Sequence, residues 1–371
     1  MEFIVSKTDL VRELNLTQGV VEKRTTIPIL SNVLMEASGD RVKLTATDLE
    51  LGIRTSFAAR VVKPGSGTVP VRRLLDYVRL LPDADLNVKF LENHWASIQC
   101  GRSRTRIAGI STESFPELPD MPEALAEIPC GALASMIGKT IFSISTEESR
   151  FTLNGALLQL KSQGMLMVST DGHRLAYVEA TGSFPGIASS YRALLPRKAM
   201  GEILKLVAEL APETPVKFAG DDNHLFFQFG ERLLISRKLT GTFPDFERVL
   251  PKDHKHTVTM PREEVRSTIE RVSQFADERS RAIRLQFCPG ELKVFSSISE
   301  TGESEESIPT EYDGESVEIG FNAQYLLEFM RAISSESVTF CFKDPHSAAE
   351  VRPGTATDGY EYRYVVMPMR I

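Results

Sequence analysis

The hydrophobic positions of this chain carry one pattern three times. Counted from Pro196, apolar side chains stand at +4, +7, +8 and +11 as Met200, Ile203, Leu204 and Val207. From Pro70 the same offsets hold Leu74, Tyr77, Val78 and Leu81, and from Asn322 they hold Leu326, Phe329, Met330 and Ile333. Such spacing is the stripe of a helix that buries one face. Proline suits the first turn of a helix and asparagine its cap, so each segment also begins as a helix should. The starting residues lie 126 positions apart in both intervals. A stripe recurring at a constant interval marks an internal triplication.

Shorter alternations surround each stripe. In the first copy residues 3–5 predict a strand and residues 7–16 a helix, with Leu10 and Leu14 one turn apart on one face. Residues 28–36 and 42–47 predict two strands across the turn Ser38-Gly39-Asp40. Residues 51–62 continue the strands, Gly65-Ser66-Gly67 breaks them, and Val88-Lys89-Phe90 opens a strand set that closes at Phe115-Pro116. The second copy repeats this grammar: Leu133 and Ile137 restate the Leu10/Leu14 pair, and residues 153–160 and 165–170 predict strands before a turn at 170–175. Val216 precedes Phe243 by 27 residues, as Val88 precedes Phe115. In the third copy Val265 and Ile269 mark a first helix, residues 283–287 and 292–296 strands, and residues 364–369 a closing strand. Each copy reads as an α+β unit of two helices and roughly eight strands, with boundaries at 1–120, 128–250 and 256–371. Pro116, Pro119, Pro122 and Pro129 punctuate the first junction and residues 251–256 the second. Strand edges that pair between neighbouring copies would continue the sheets and hide those edges.

Composition narrows the class. The 371 residues are 42% hydrophobic and 25% charged, ordinary values for soluble domains, and each copy is long enough to bury its own core. No apolar run approaches a membrane span, and the opening MEFIVSKTDL lacks a basic start followed by an apolar core, so a cytoplasmic protein is expected. Cys100, Cys130, Cys288 and Cys341 are scattered without a CxxC pair, which argues against zinc and a disulfide framework. A net charge of −7 argues on average against a nucleic-acid partner. The charge is unevenly spread, however: the helical windows 7–20, 70–81, 130–141, 196–210, 260–275 and 321–333 together carry +4 and the remaining residues −11. In a triplicated fold that contrast points to helices facing a polyanion and strands facing outward.

Candidate chemistry is sparse. Gly138-Lys139-Thr140 resembles the end of a phosphate loop, but the position five before Gly138 is Leu133 and the segment reads as helix. Asp171-Gly172-His173-Arg174 offers an acid and a base, yet no second His or Cys motif accompanies it, and a polar turn is the expectation. Glu300, Glu303, Glu305 and Glu306 lack the glycine and spacing of a calcium loop and predict a solvated loop. Asp221-Asp222-Asn223 predicts a hairpin turn. No catalytic residue, metal site or cofactor is expected.

Four stretches resemble one family. Thr170-Asp171-Gly172-His173-Arg174-Leu175, Phe243-Pro244-Asp245-Phe246, Ile319-Gly320-Phe321-Asn322 and the terminal Val365-Val366-Met367-Pro368-Met369-Arg370-Ile371 are similar to the bacterial sliding clamps, the beta subunits of DNA polymerase III. The resemblance spans the whole chain. It implies three clamp domains per chain, helices lining the inside and β-sheets outside, and a ring formed as a head-to-tail homodimer around duplex DNA. It also implies a non-catalytic processivity factor that tethers replicative and repair polymerases and is opened by an ATP-driven clamp loader. Size agrees: a domain of ~120 residues has a radius of roughly 17 Å, so three in a ring leave a hole of about 3 Å radius and six leave about 17 Å. Two chains are needed to admit a duplex.

Site residues carry over from the same resemblance. The DNA-facing set is Arg24, Arg72, Arg73, Arg197, Lys198, Asn322 and Tyr325. The partner-peptide set is Leu153, Thr170, Gly172, His173, Arg174, Leu175, Pro244, Arg248, Val249, Val365, Val366, Met367, Pro368 and Met369. Leu153, Leu175, Pro244, Val249, Val366, Pro368 and Met369 are expected to line an apolar groove with Arg174 and Arg248 at its rim, suited to a short peptide that begins with Gln and ends in Leu-Phe. The first copy of one chain is expected to meet the third copy of the other by two-fold symmetry. Val272 and Phe275 would supply the apolar contact, and the run from Glu300 through Glu303 to Glu306 would face Arg73, Arg79 or Arg104. Two departures from the family are the longer 344–361 loop and Ile371, where Leu is commoner. The competing reading is a nucleic-acid-processing enzyme using Asp171 and His173, for which no metal-ligand set or second acid speaks.

Overall fold

Each of the three stripes is a helix, and each follows directly on a strand. The computed structural model describes all residues except 23, 24, 185, 188, 299–301, 356–358 and 371. The first repeat runs β1 (Glu2–Ser6), α1 (Lys7–Val20), β2 (Asn32–Ser38), β3 (Arg41–Thr47), β4 (Leu51–Ala58), β5 (Arg60–Lys63), β6 (Gly65–Pro70), α2 (Val71–Leu80), β7 (Asp85–Phe90), β8 (Trp95–Cys100) and β9 (Ser103–Ala108). The second runs β10 (Ala126–Pro129), α3 (Cys130–Thr140), β11 (Gly155–Lys161), β12 (Gly164–Thr170), β13 (Arg174–Thr181), β14 (Tyr191–Pro196), α4 (Arg197–Val207), β15 (Pro215–Gly220), β16 (His224–Phe229) and β17 (Arg232–Arg237). The third runs β18 (His256–Pro261), α5 (Arg262–Val272), β19 (Ala282–Cys288), β20 (Glu291–Ile298), β21 (Gly302–Pro309), β22 (Val317–Asn322), α6 (Ala323–Ala332), β23 (Ser337–Phe342), β24 (Ala349–Pro353) and β25 (Tyr360–Val366).

The stripes are largely buried as their spacing requires, with Tyr77 and Leu204 only partly so. Leu74, Val78, Met200, Ile203, Val207, Leu326, Phe329 and Met330 are all buried, and Leu75 and Leu206 widen the apolar face beyond the expected positions. Asn322 caps α6, its side-chain oxygen accepting from the Gln324 amide at 2.9 Å. The prolines behave differently from expectation. Pro70 stands at the cap position of α2 in an extended conformation, and Pro196 is the last residue of β14. Lacking an N–H, proline here ends a ladder rather than entering the helix's first turn.

Other boundaries differ for local reasons. Helix α1 runs one turn past Leu16 because Thr17 and Val20 continue its buried face. Pro28–Ser31 and Phe151–Leu153 are 3-10 turns rather than strand. Gly65-Ser66-Gly67 does not break the strands but belongs to β6: a Cβ on Gly67 would lie 2.1 Å from the Phe90 ring, so the glycine admits that ring. Glu303, Glu305 and Glu306 lie on β21, not in a loop, and Glu300 falls outside the described residues. The 344–361 segment contains β24, and the closing strand stops at Val366.

Among the described residues the strands form four sheets. Two are small, β5-β1-β7-β8-β9 and β21-β20-β19-β22, and two have eight strands, β10-β15-β16-β17-β4-β3-β2-β6 and β14-β11-β12-β13-β25-β24-β23-β18. Both large sheets pass from one repeat to the next, through β17 against β4 and through β13 against β25. The chain accordingly divides into two compact units: residues 1–134 with 198–238, and residues 135–197 with 239–371. Compactness follows the shared sheets and splits the second repeat between the units.

Candidate functional site

The 170–175 turn is built by two short side chains. The Thr170 hydroxyl donates to the Arg174 carbonyl at 2.6 Å and accepts from the Gly172 amide at 3.1 Å. One Asp171 oxygen accepts from the amides of His173 at 2.9 Å and Arg174 at 3.1 Å. Gly172 has φ +90, a left-handed conformation that a side chain would strain. Asp171 is therefore committed to the turn, and its other oxygen takes the Arg174 Nε at 3.0 Å. No acid–base pair forms with the exposed His173 side chain.

Arg174 is not at a rim. It is 8% exposed, and its guanidinium also donates to Glu328, to the Phe142 carbonyl at 2.6 Å and to the Tyr364 hydroxyl, while stacking 4.2 Å over Tyr325. Burial alone would lower its pKa, but Tyr364 and Glu328 outweigh it and hold the group above its ordinary value. A buried cation can persist only with such partners, and these come from α6 and β25 of the third repeat. The expectation of Arg174 beside Arg248 at a groove edge fails because its side chain turns inward.

Strand pleating selects the groove's floor. Leu175 pairs with Val365, and Arg174 with Val366, so the two pairs face opposite sides of the sheet. Leu157, Leu166, Val168, Leu175, Leu194 and Val365 pack against Phe243, Phe246 and Leu250, with Leu153, Val249 and Ala348 partly open beside them. Val366, fully buried and on the opposite face, is withdrawn from the groove. Met367 is 40% exposed, and its amide donates to the His173 carbonyl at 2.9 Å, while the Met369 amide donates to Gly320 at 2.8 Å. The first bond holds Met367 next to the turn, and the second ties Met369 to β22. A cavity of about 500 Å³ adjoins this floor, lined by Arg248, Val249, Leu250, Pro251, Lys343 and Ala348 among others. Arg248 is exposed and pairs with Asp245 at 2.8 Å, and Pro244 is exposed. Phe246 and Ala348 were missing from the expected site. Phe246 could have been found from its place in Phe-Pro-Asp-Phe, whereas nothing in the sequence marked Ala348.

The other expected residues are more dispersed. Arg73, Arg197 and Lys198 are exposed, but Lys198 already contacts Asp48 and donates to the Val20 carbonyl at 2.9 Å. Arg72 is half-buried and donates to the Val21 carbonyl at 3.1 Å, and Arg24 lies outside the described residues. Asn322 spends its side chain on capping, and Tyr325 lies under Arg174. Val272 is fully buried within its own unit and has no surface to offer a partner, while Phe275 is 39% exposed on a 3-10 turn. Arg104 and Glu303 are exposed on strands at sheet edges.

Lys139 sits in α3, as the helix reading required, with its ammonium 4.2 Å over Tyr360. Among the described residues no group of three His, Cys, Asp or Glu could hold a metal ion, and no helix is long and apolar enough to cross a membrane.

With this geometry in hand, comparison with known proteins gives a consistent answer. Residues 1–119, 127–245 and 247–370 match, in turn, the N-terminal, central and C-terminal domains of the DNA polymerase III beta subunit. The chain belongs to the DNA polymerase III beta subunit family. The beta sliding clamp of Pseudomonas aeruginosa is 35% identical over the full length of both chains, and that of Chlamydia muridarum 34% over all of this chain and 99% of its own. The Pseudomonas aeruginosa clamp bound to griselimycin superposes with a TM-score of 0.93 at 34% identity, covering both chains completely. The Bacillus subtilis clamp reaches 0.94 at 26% identity, covering all of this chain and 99% of its own. The three-domain clamp fold and the sliding-clamp function follow from membership. A sliding clamp is a processivity factor and not an enzyme, so the reading of a nucleic-acid-processing enzyme using Asp171 and His173 falls.

Proposed function

We propose that two chains close head to tail into a ring around duplex DNA in the cytoplasm, and that each chain tethers polymerases and repair proteins through the groove beside the 170–175 turn. Domain boundaries at 1–120, 128–250 and 256–371 fit the repeat spacing. The observation that carries the tethering is the apolar floor of Leu175 and Val365, partly open at Leu153, Val249 and Ala348 and flanked by the exposed Met367. A short extended peptide with bulky apolar side chains, beginning with Gln and ending in Leu-Phe, suits that shape. Flexible thioethers at Met367 and Met369 adapt to different partners. A clamp loader carrying such a segment would use the same groove.

Two sheet edges support the ring. Edge strand β9 exposes Arg104 and Arg106, and edge strand β21 exposes Glu303 and Glu305. Antiparallel pairing of these edges between chains would bury two unpaired backbone ladders and match opposite charges. Phe275 remains the apolar contributor. Contact with DNA is through phosphates, with Arg73 and Arg197 the exposed arginines among the described residues of the expected set, Arg197 also donating to the Ile144 carbonyl at 3.5 Å.

Deleting residues 367–371 tests the groove: a folded dimer that no longer binds a Gln…Leu-Phe peptide is expected, and unaltered affinity overturns the assignment. Phe275→Asp tests the ring, with monomers expected on sedimentation.

A further inference from the structure

The 170–175 turn has a twin in the first repeat. The Thr47 hydroxyl donates to the Leu51 carbonyl and accepts from the Leu49 amide, both at 2.9 Å. Asp48 accepts from the amides of Glu50 and Leu51 at 3.0 and 2.6 Å. Leu49, at the position of Gly172, has φ 78. The following strands also pair alike: Gly52 opposes Ile235 as Leu175 opposes Val365. Thr45 opposes Arg54 as Val168 opposes Tyr177, and Leu34 opposes Thr45 as Leu157 opposes Val168.

The twin is closed. Where the second joint has Leu175, the first has Gly52, and the Leu118 side chain fills the space, 2.8 Å from where a Cβ would stand. Where the second has Tyr177, the first has Arg54, which donates to the Leu118 carbonyl at 2.6 Å and to Asp120 at 2.7 Å. Leu118 and Met121 pack on Ala219, Phe226 and Ile235. Leu30, the counterpart of the half-open Leu153, is buried with Phe115. What remains is a cavity of about 540 Å³ whose lining includes Glu36, Lys43 and Thr45.

We propose that this joint is a second groove of the same construction, occupied by the chain's own 115–121 segment as a resident peptide. Leu118 is its apolar anchor and Asp120 its polar one. The consequence is that each chain offers partners one groove rather than two, an inference that rests on the peptide reading of the second joint.

The probe is a labelled synthetic peptide with the sequence of residues 115–123, followed by fluorescence anisotropy. The double variant Leu118→Ser, Met121→Ser loosens the resident segment and is expected to bind this peptide at least tenfold more tightly than the unaltered chain. Adding Arg54→Ala should remove that gain. Equal affinity for the double variant and the unaltered chain overturns the proposal. Because the variant could fold poorly, a second measurement uses Gly52→Leu, which restores the residue of the open joint and should expel Leu118. Cleavage by a glutamate-specific protease at Glu117 and Glu123 should then rise at least tenfold, and an unchanged rate overturns the proposal. In both variants the Gln…Leu-Phe peptide should still bind once per chain. Failure of that control alone counts against the reading of the second joint and leaves the resident peptide standing.

Discussion

In the joint between the first and second repeats the buried charge is an anion. Glu13 of α1, 2% exposed, receives Arg232 of β17 at 2.7 and 3.1 Å, Arg12 at 2.9 Å and the Thr55 hydroxyl. In the joint between the second and third repeats it is a cation, Arg174, gripped by Asp171 and Glu328. Each charge ties together side chains from two repeats alongside the shared sheet. The difference lies in whether the central group itself can be neutralised. Burial raises the Glu13 pKa, but hydrogen bonds from Arg232, Arg12 and Thr55 outweigh it and hold the carboxyl below its ordinary value. Protons can therefore undo the first clasp by neutralising its centre. An arginine stays charged at any working pH, so the centre of the second clasp does not titrate.

The largest effect is expected from Arg174→Met. It strands Asp171 and Glu328 with no cation between them and frees the turn from α6. Loss of a buried partner costs about 3–5 kcal/mol, to be read from urea denaturation, and peptide affinity should fall as well. Unchanged stability would show that the second clasp is ornamental.

Next comes Leu175→Ala. It removes the side chain that distinguishes the open joint from the closed one, at about 2–5 kcal/mol for a buried leucine. A denaturation midpoint shift beside weakened peptide binding is the expected pair of readouts.

Glu13→Gln should cost less, about 2 kcal/mol at neutral pH, because Arg232 keeps Glu209 at 2.8 Å. The pH dependence sharpens the comparison. A carboxyl whose folded pKa is depressed contributes fully above its unfolded value, near pH 4, and loses that contribution as pH falls through the folded value. Stability measured from pH 5 down to pH 3 should therefore decline less steeply in Glu13→Gln than in the unaltered chain.

The smallest effect belongs to Lys198→Met. Its side chain is 41% exposed, whereas the Asp48 side chain is 5% exposed and also accepts two backbone amides. A loss of about 1 kcal/mol is expected, since Asp48 keeps those amides.

Much of the fold was legible because periodicity reports burial. The stripes from Pro70, Pro196 and Asn322 named the helices, and the 126-residue interval named the repeats. Gly65-Ser66-Gly67 misled because glycine's usual meaning is flexibility, while here it makes room for Phe90. Val366 and Arg174 misled for a related reason. Adjacent strand residues point to opposite faces, and the family's motif does not say which residue points where until the register with β13 is known. Val272 looked available because helical spacing reports one buried face without saying what covers it.

The three repeats, their α+β content, the 170–175 turn and the family were legible before folding, since these rest on local spacing and short motifs. Which strands carry the sheets from one repeat into the next, β17 against β4 and β13 against β25, and the burial of Arg174 as a clasp emerge only on folding. So does the covering of Gly52 by Leu118 of the 115–121 segment, where the other joint carries Leu175. Those outcomes depend on pairs such as Gly52 with Leu118 and Arg174 with Glu328, separated by 66 and 154 residues. Their energy exists only once the chain has brought them within contact distance.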